Sequence, residues 1–454
     1  LTIGKIGGTG GGQWRSPEYY TEQVARGAED YYAGHGEAPG TWTGQGAAQL
    51  GLAGMVGDGE LEAVFERRHP SSGDQLGRAA GPGSVRGIDL QMAVPKSVST
   101  LWALADDYDR PEVAAKVWEA THGAASAAFD YLERHACTSR AGAGGKVALR
   151  GEGFVAAVFP HRFSREGDPQ VHVHVLVANM THGGRAEGVE PAWRTLDARD
   201  LFDHKLAAGY LFQAELRERL TRELGVEWSE IHKGAAEIVG VPTELTQALS
   251  KRRAQILDAL DRDGRAGSAR ESEIAALTTR RSKQTFDLAE QRGQWRALAQ
   301  EHGFDRDELA DTLDRTEFRP VDRGELSAAI SEIVGAEGLT AERSAFARRD
   351  VVREVAARQV RGGSVEQVEA IADRLIASDQ VVALDGTAAG ATIRPTSPPD
   401  RRGEPLLTTP DMLAVEARMI DQATGRRGEG AGAVALSEGE RFERRPGGLV
   451  LSDE

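Results

Sequence analysis

Three histidines in the order His-x10-His-x-His, at His161, His172 and His174, have the types and spacing to hold one ion. His172 and His174 stand two apart in VHVHVLV, a run whose β-branched residues favour a strand. Side chains alternate along a strand, so both imidazoles point to one face. His161 follows a second strand-like run, FVAAVF, and SREGDPQ between the two supplies a turn. Folded back as an antiparallel neighbour, that strand brings a third imidazole to the first two. Coordination positions then stay open for a substrate oxygen. An H-x-H pair alone is more often two surface histidines; the third ring argues for one divalent metal. Nitrogen ligation suits zinc, nickel or manganese better than magnesium, and all four stay open.

The chain has seven tyrosines, and four fall in two early doublets, Tyr19-Tyr20 and Tyr31-Tyr32. A single doublet usually packs a helix face; two so close together are harder to assign to packing. A phenol, with a pKa of about 10, is a weak nucleophile at neutral pH. It becomes effective where a metal neutralises the phosphate it attacks and a neighbour takes its proton.

The elements that must position these groups alternate unevenly. LTIGKI reads as a strand, and SPEYYTEQVARGAEDYY as a helix capped by Ser16 with Pro17 in its first turn. Residues 33–60 are glycine-rich and read as irregular. SVRGIDLQMAV is a strand ending at Pro95, PKSVSTLWALA begins a helix, and EVAAKVWEATHGAASAAFDYLERHA is a long amphipathic helix. KVALRGEGFVAAVFPHRF holds two strand-like runs, and LFDHKLAAGYLFQAELRERLTREL is helical. The pattern predicts an α+β fold with helices packed on an antiparallel sheet. Residues 240–380 read as mostly helical, and RPTSPPDRRGEP at 394–405 as a linker. One helix follows, DMLAVEARMIDQA, and then a flexible polar tail.

Composition narrows the class. The 454 residues favour two or three domains, and one cysteine, Cys137, excludes a disulfide framework. No apolar run is long enough for a membrane span, and the N-terminus lacks a signal-peptide core. The expected compartment is cytoplasmic. A net charge of −15 excludes indiscriminate coating of DNA. Most of the excess acid lies beyond residue 300, so the earlier part is better suited to meet phosphate.

These segments together resemble the MobF-class, TrwC/TraI-like conjugative relaxases of the HUH endonuclease superfamily. The resemblance covers roughly residues 1–300. It is carried by EYY and DYY, TWTGQGAAQLGLAG, GIDLQMAVPKSVSTLWAL and FPHRFSREGDPQVHVHVLVANMT. It implies a five-stranded antiparallel sheet with helices on it, in the HUH palm-like relaxase fold. It divides the chain into a catalytic core at 1–235, helical fingers closing over DNA at 236–300, and a small winged-helix-like module at 301–393. The rest, 394–454, is linker, helix and tail.

The implied activity is site-specific nicking and rejoining of one DNA strand at a transfer origin. Tyr19 makes the first cut, leaving a 5′-phosphotyrosyl link. Tyr31 serves a second transesterification, with Tyr20 and Tyr32 as the alternates in each doublet. Asp89 orients a metal-binding histidine or accepts the tyrosine proton. Lys96 lies either in water at a helix start or against the DNA backbone. Arg78, Arg86, Arg162, Arg165, Lys251 and Arg252 are candidate DNA contacts, Arg162 and Arg165 foremost because they flank His161. Lys251 and Arg252, with Arg253, Arg280 and Arg281, equally suit a solvated helix face. Trp14 and Trp42 are better suited to core packing than to stacking on bases.

Implied partners are single-stranded origin DNA with its adjacent hairpin, a type IV secretion coupling protein and relaxosome accessory proteins. Passage into a recipient cell with the DNA is a further expectation. No phosphate-loop motif is present, so no helicase motor is expected within these residues. Three rivals remain: a rolling-circle replication initiator of the same chemistry, a zinc hydrolase, and a DNA-binding module with a structural metal. An initiator's tyrosine would follow the histidines, where only Tyr210 stands. A structural zinc is normally closed by a fourth protein ligand, and Cys137 has no partner in sequence.

Overall fold

Apolar residues alternate along GIDLQMA and PQVHVHVLVA, so each strand has one face to bury. The computed structural model describes residues 1–7, 38–184, 188–262, 287–384 and 406–426, with the backbone of 443–445 and 448–450. Its central sheet contains β1 (Thr2–Ile6), β2 (Thr41–Thr43) and β3 (Gly87–Ala93). A separate hairpin of β4 (Thr138–Ala141) and β5 (Val147–Arg150) precedes the last two members, β6 (Ala156–Phe163) and β7 (Pro169–Ala178). The spatial order is β1-β3-β7-β6-β2, and every neighbouring pair is antiparallel. This is the five-stranded antiparallel sheet expected.

Short helices α1 (Gln45–Gln49) and α2 (Glu60–Phe65) lie near the β2 edge. Three longer ones, α3 (Lys96–Ala105), α4 (Pro111–Ala136) and α5 (Ala198–Leu224), form the layer behind. Ile88, Leu90 and Met92 of β3 and Val171, Val173, Val175 and Val177 of β7 pack into this layer and are essentially inaccessible. Each such side chain contributes roughly 1.5–3 kcal/mol on burial, so the strands' facing is strongly specified. The opposite face carries a smaller cluster in which Ile6, Trp42, Phe159 and Leu176 meet Leu61, Val64 and Phe65. The histidines share that face.

Beyond the core come α6 (Thr243–Ala248), α7 (Lys251–Arg262), α8 (Leu288–Glu301) and α9 (Arg306–Asp311). They are followed by α10 (Arg323–Val334), α11 (Arg348–Ala357) and α12 (Val365–Ile376). A two-stranded β8 (Val382–Leu384) and β9 (Leu406–Thr408) precedes α13 (Pro410–Gly425). Ile333, Phe346, Val351, Val355, Val368 and Leu375 belong to the same apolar cluster as the back of the sheet. The late helices therefore extend the core.

Arg217 of α5 pins them in place. Its guanidinium is fully buried and donates to the carbonyls of Gly234 at 2.8 Å, Gln359 at 3.2 Å and Ala356 at 3.4 Å. Burial lowers its pKa to about 10.

Two expectations change. Residues 33–60 are not irregular throughout: Thr41–Thr43 adds the edge strand β2, and Gln45–Gln49 is helical. Three residues are too few to display alternation. Trp42 is held there by burial and by its indole N–H, which donates to Glu60 Oε2 at 2.8 Å. In the tail, expected to be flexible, the backbone of Glu443–Arg445 pairs antiparallel with that of Gly448–Val450.

Replacing Arg217 with Ala leaves three carbonyls without their donor. The unfolding free energy in urea is expected to fall by about 3 kcal/mol, from a cost of roughly 1–3 kcal/mol per unsatisfied buried group. A loss below about 1 kcal/mol would show that the pin is dispensable.

Candidate metal centre

His161 of β6 lies directly opposite His172 of β7, and Phe159 lies opposite His174. That register turns three imidazoles to one face, with ring centroids 4.8 to 5.2 Å apart. One nitrogen from each ring comes within 4.8 Å of the others. Two tautomers are set by hydrogen bonds. His172 Nδ1 donates to the Gln170 carbonyl at 2.8 Å, and His174 Nδ1 donates to Asp89 Oδ1 at 2.7 Å. Both bonds engage Nδ1, so Nε2 is the atom each ring offers to an ion, the usual way a protein aims imidazoles. Asp89 and His174 are both almost wholly buried, so their bond is little screened by water.

The three nitrogens fit a divalent ion with open coordination positions. They do not form a closed site: among the described residues no cysteine or carboxylate joins the group. Cys137 is buried elsewhere, against Thr181 Oγ1 at 3.3 Å. The strand bulges between His161 and Phe163, which lets His161 face the centre while Phe163 turns to Trp295, 5.9 Å away between centroids.

The segment Pro95–Ser99 secures the start of β7. Ser99 Oγ accepts from Val171 N at 3.1 Å, and Ser97 Oγ accepts from Ile238 N at 2.8 Å. Lys96 Nζ donates to the carbonyls of Pro169 and Leu249, both at 2.8 Å. Burial lowers the Lys96 pKa to about 8 against the pull of Asp168 and Glu237. Lys96 is therefore not a lysine in open water, since two of its donors tie a strand start to a helix end.

Asp168, missed in the sequence, ties the same hairpin to the helices beyond it. Its Oδ2 accepts from Arg252 N at 3.3 Å at the start of α7, and Lys251 Nζ lies 3.9 Å from Oδ1. Burial raises the Asp168 pKa, opposed by Lys96, by the Arg252 amide and by Lys251. Trp295 of α8 donates to the Gly167 carbonyl at 3.0 Å. The turn signal SREGDPQ marked this hairpin, but nothing in it announced which distant helix Asp168 would meet.

Other expected site residues scatter. Tyr19, Tyr20, Tyr31, Tyr32 and Trp14 lie outside the described residues, as do Arg280 and Arg281. Arg86 pairs with Glu66 at 2.5 Å. Arg162 is buried, and its guanidinium lies 5.6 Å from the Phe163 ring centroid. Arg165 is half-buried in the hairpin turn. Arg78 is exposed and lines a cleft of about 420 Å³ with Arg140, Trp193, Arg194 and Arg199. Arg140 and Arg199 both bind Asp197, whose carboxyl stays well below the usual range: their hydrogen bonds and charges outweigh its burial. Trp42 packs in the core. The three described tyrosines are packed as well: Tyr108 donates to the Phe304 carbonyl, Tyr131 meets His204 Nδ1, and Tyr210 is half-buried against the core.

Comparison with known proteins places this geometry. Residues 14–302 match the TrwC relaxase family. The multifunctional conjugation protein TraI of Escherichia coli is 31% identical over 388 residues, covering 81% of this chain and 20% of TraI. TraI of strain K12 is 30% identical with the same coverage. The chain thus spans about a fifth of the length of these curated relatives. Among solved structures, the conjugative relaxase TrwC in complex with oriT DNA, metal-bound, shares the fold with a TM-score of 0.55 at 24% identity. It covers 67% of this chain and 99% of that one. TrwC with a 27-mer DNA comprising the recognition hairpin and the cleavage site gives 0.54 at the same identity and coverage.

Removing the charge that holds His174 tests the centre. Asp89→Asn is expected to weaken zinc binding about 10- to 100-fold, read by competition with a chromophoric chelator. Unchanged affinity would deny Asp89 its part in the site.

Proposed function

Since the chain belongs to the TrwC relaxase family, we propose that it nicks and rejoins one strand of DNA at a transfer origin by tyrosine transesterification. The observation that carries this reading is the three-imidazole centre with His174 held by Asp89. A divalent ion bound there supplies Lewis-acid polarisation of a phosphate and offsets the charge that develops in displacement. Manganese, magnesium, zinc and nickel are the candidate ions.

The chain's own residues do the rest. His161, His172 and His174 present ring nitrogens from two rigid strands. Asp89 and the Gln170 carbonyl keep two of those rings in the required tautomer. Tyr19 is the proposed nucleophile, with Tyr20 as its alternate. Its phenolic oxygen bonds to phosphorus, the 3′ oxygen leaves with a proton, and the 5′ phosphate stays on the enzyme. One phosphodiester replaces another, so rejoining is the same step reversed and needs no nucleotide. Tyr31 or Tyr32 would serve a second transfer. These phenols belong to 8–37, a segment that connects β1 and β2 at opposite edges of the sheet bearing the triad. The packing of Tyr210, the tyrosine downstream of the histidines, supports a nucleophile from that segment over the placement an initiator would use.

For DNA itself, the cleft of Arg78, Arg194 and Trp193 suits phosphates of a duplex stem. Lys251 and Arg252, at the start of a helix tied to the metal hairpin, suit the single strand. Action on DNA in a donor cytoplasm, hand-over to a type IV coupling protein and assembly with relaxosome proteins complete the proposal.

The experiment uses labelled single-stranded oligonucleotides tiling the DNA that flanks the gene for this chain. One of them is expected to form a covalent adduct that mass spectrometry maps to Tyr19. Tyr19→Phe should abolish adduct and cleavage while leaving DNA binding intact. Cleavage at the wild-type rate in that variant would move the nucleophile elsewhere. EDTA should stop cleavage and added manganese restore it; undiminished cleavage after thorough chelation would remove the ion from the reaction.

A further inference from the structure

We propose that Gln91 is a catalytic residue, its carboxamide nitrogen donating to a non-bridging oxygen of the phosphate seated over the histidine triad. The inference rests on the nickase reading above and adds a donor to the same site.

The register of β3 against β7 sets Asp89 opposite Leu176, Gln91 opposite His174 and Ala93 opposite His172. Directly opposed residues of an antiparallel pair share a face, with Cβ atoms roughly 4.5–5.5 Å apart. β3 therefore offers two polar side chains to the triad's face. Asp89 is buried and accepts from His174. Gln91 is half-buried, so part of it remains accessible on the face that the histidines share.

Its amide is also oriented. Thr2, opposite Gln91 on β1, donates from Oγ1 to Gln91 Oε1 at 3.3 Å. With the oxygen engaged on the β1 side, the NH₂ group is the part of the amide left for a ligand. That nitrogen makes no hydrogen bond among the described residues. Ala93, the next residue of β3 on this face, is too small to screen it from the triad.

The chemistry calls for such a group. Phosphoryl displacement spreads negative charge over the non-bridging oxygens, and a preorganised neutral donor stabilises it without competing for the ion. The imidazole nitrogens are directed at the ion and Asp89 is an anion, so neither can supply that donor.

Three measurements on the full chain test the proposal, with the oligonucleotide that the wild type cleaves. Gln91→Met keeps the length and removes the donor. Its single-turnover cleavage should fall about 10- to 100-fold, with DNA and zinc affinities within about twofold of wild type. Gln91→Glu keeps the shape and the acceptance from Thr2 but replaces the donor with an anion, so it should be slower than Gln91→Met. A merely structural glutamine predicts the reverse order. Cleavage by Gln91→Met within about twofold of wild type, a milder Gln91→Glu, or a rate loss matched by lost DNA or zinc binding would each overturn the role of Gln91. A wild type that cleaves nothing would refute the nickase reading itself, a different outcome.

Discussion

The site depends on a register. β6 and β7 pair so that His161 faces His172, and a slip of one residue would send one histidine set to the opposite face of the sheet. Four valines of β7 oppose that slip, because each would trade the apolar layer behind the sheet for the open face. The burial that folds the protein is thus also what aims the imidazoles. The polar residues of VHVHVLVA occupy the alternate positions, at no cost to the core.

Hydrogen bonds then refine what the register provides. Asp89 and the Gln170 carbonyl select ring tautomers, and the bulge after His161 lets one strand serve two faces. The hairpin between the ligands is further bolted to helices distant in sequence through Lys96, Asp168 and Trp295. Any movement of α7 or α8 therefore bears on the hairpin that carries His161 and His172. This gives the helical region beyond residue 240 a mechanical connection to the metal centre as well as a place in the core.

Legibility in the sequence followed the range of the interactions. The triad is readable because alternation and a turn are local, whereas the part of Asp89 and the five-stranded sheet follow only from the resemblance those motifs carry. β2 was missed because three residues show no period; it exists through Trp42 and its contact with Glu60. Lys96 and Asp168 were misjudged or overlooked because their partners, Leu249 and Arg252, lie far along the chain. Arg162, an expected DNA contact beside His161, is buried next to a bulge that the sequence does not announce. The neighbours of Arg78 in the arginine cleft come from β4, from the segment before α5 and from the first turn of α5, all far along the chain.

X-ray absorption at the zinc edge, on the chain loaded with one equivalent of zinc, measures the coordination directly. Three imidazole nitrogens at about 2.0–2.1 Å, with the remaining shell filled by light solvent atoms, are the result this structure predicts. A shell with two imidazoles or fewer, or one containing sulfur, would contradict it.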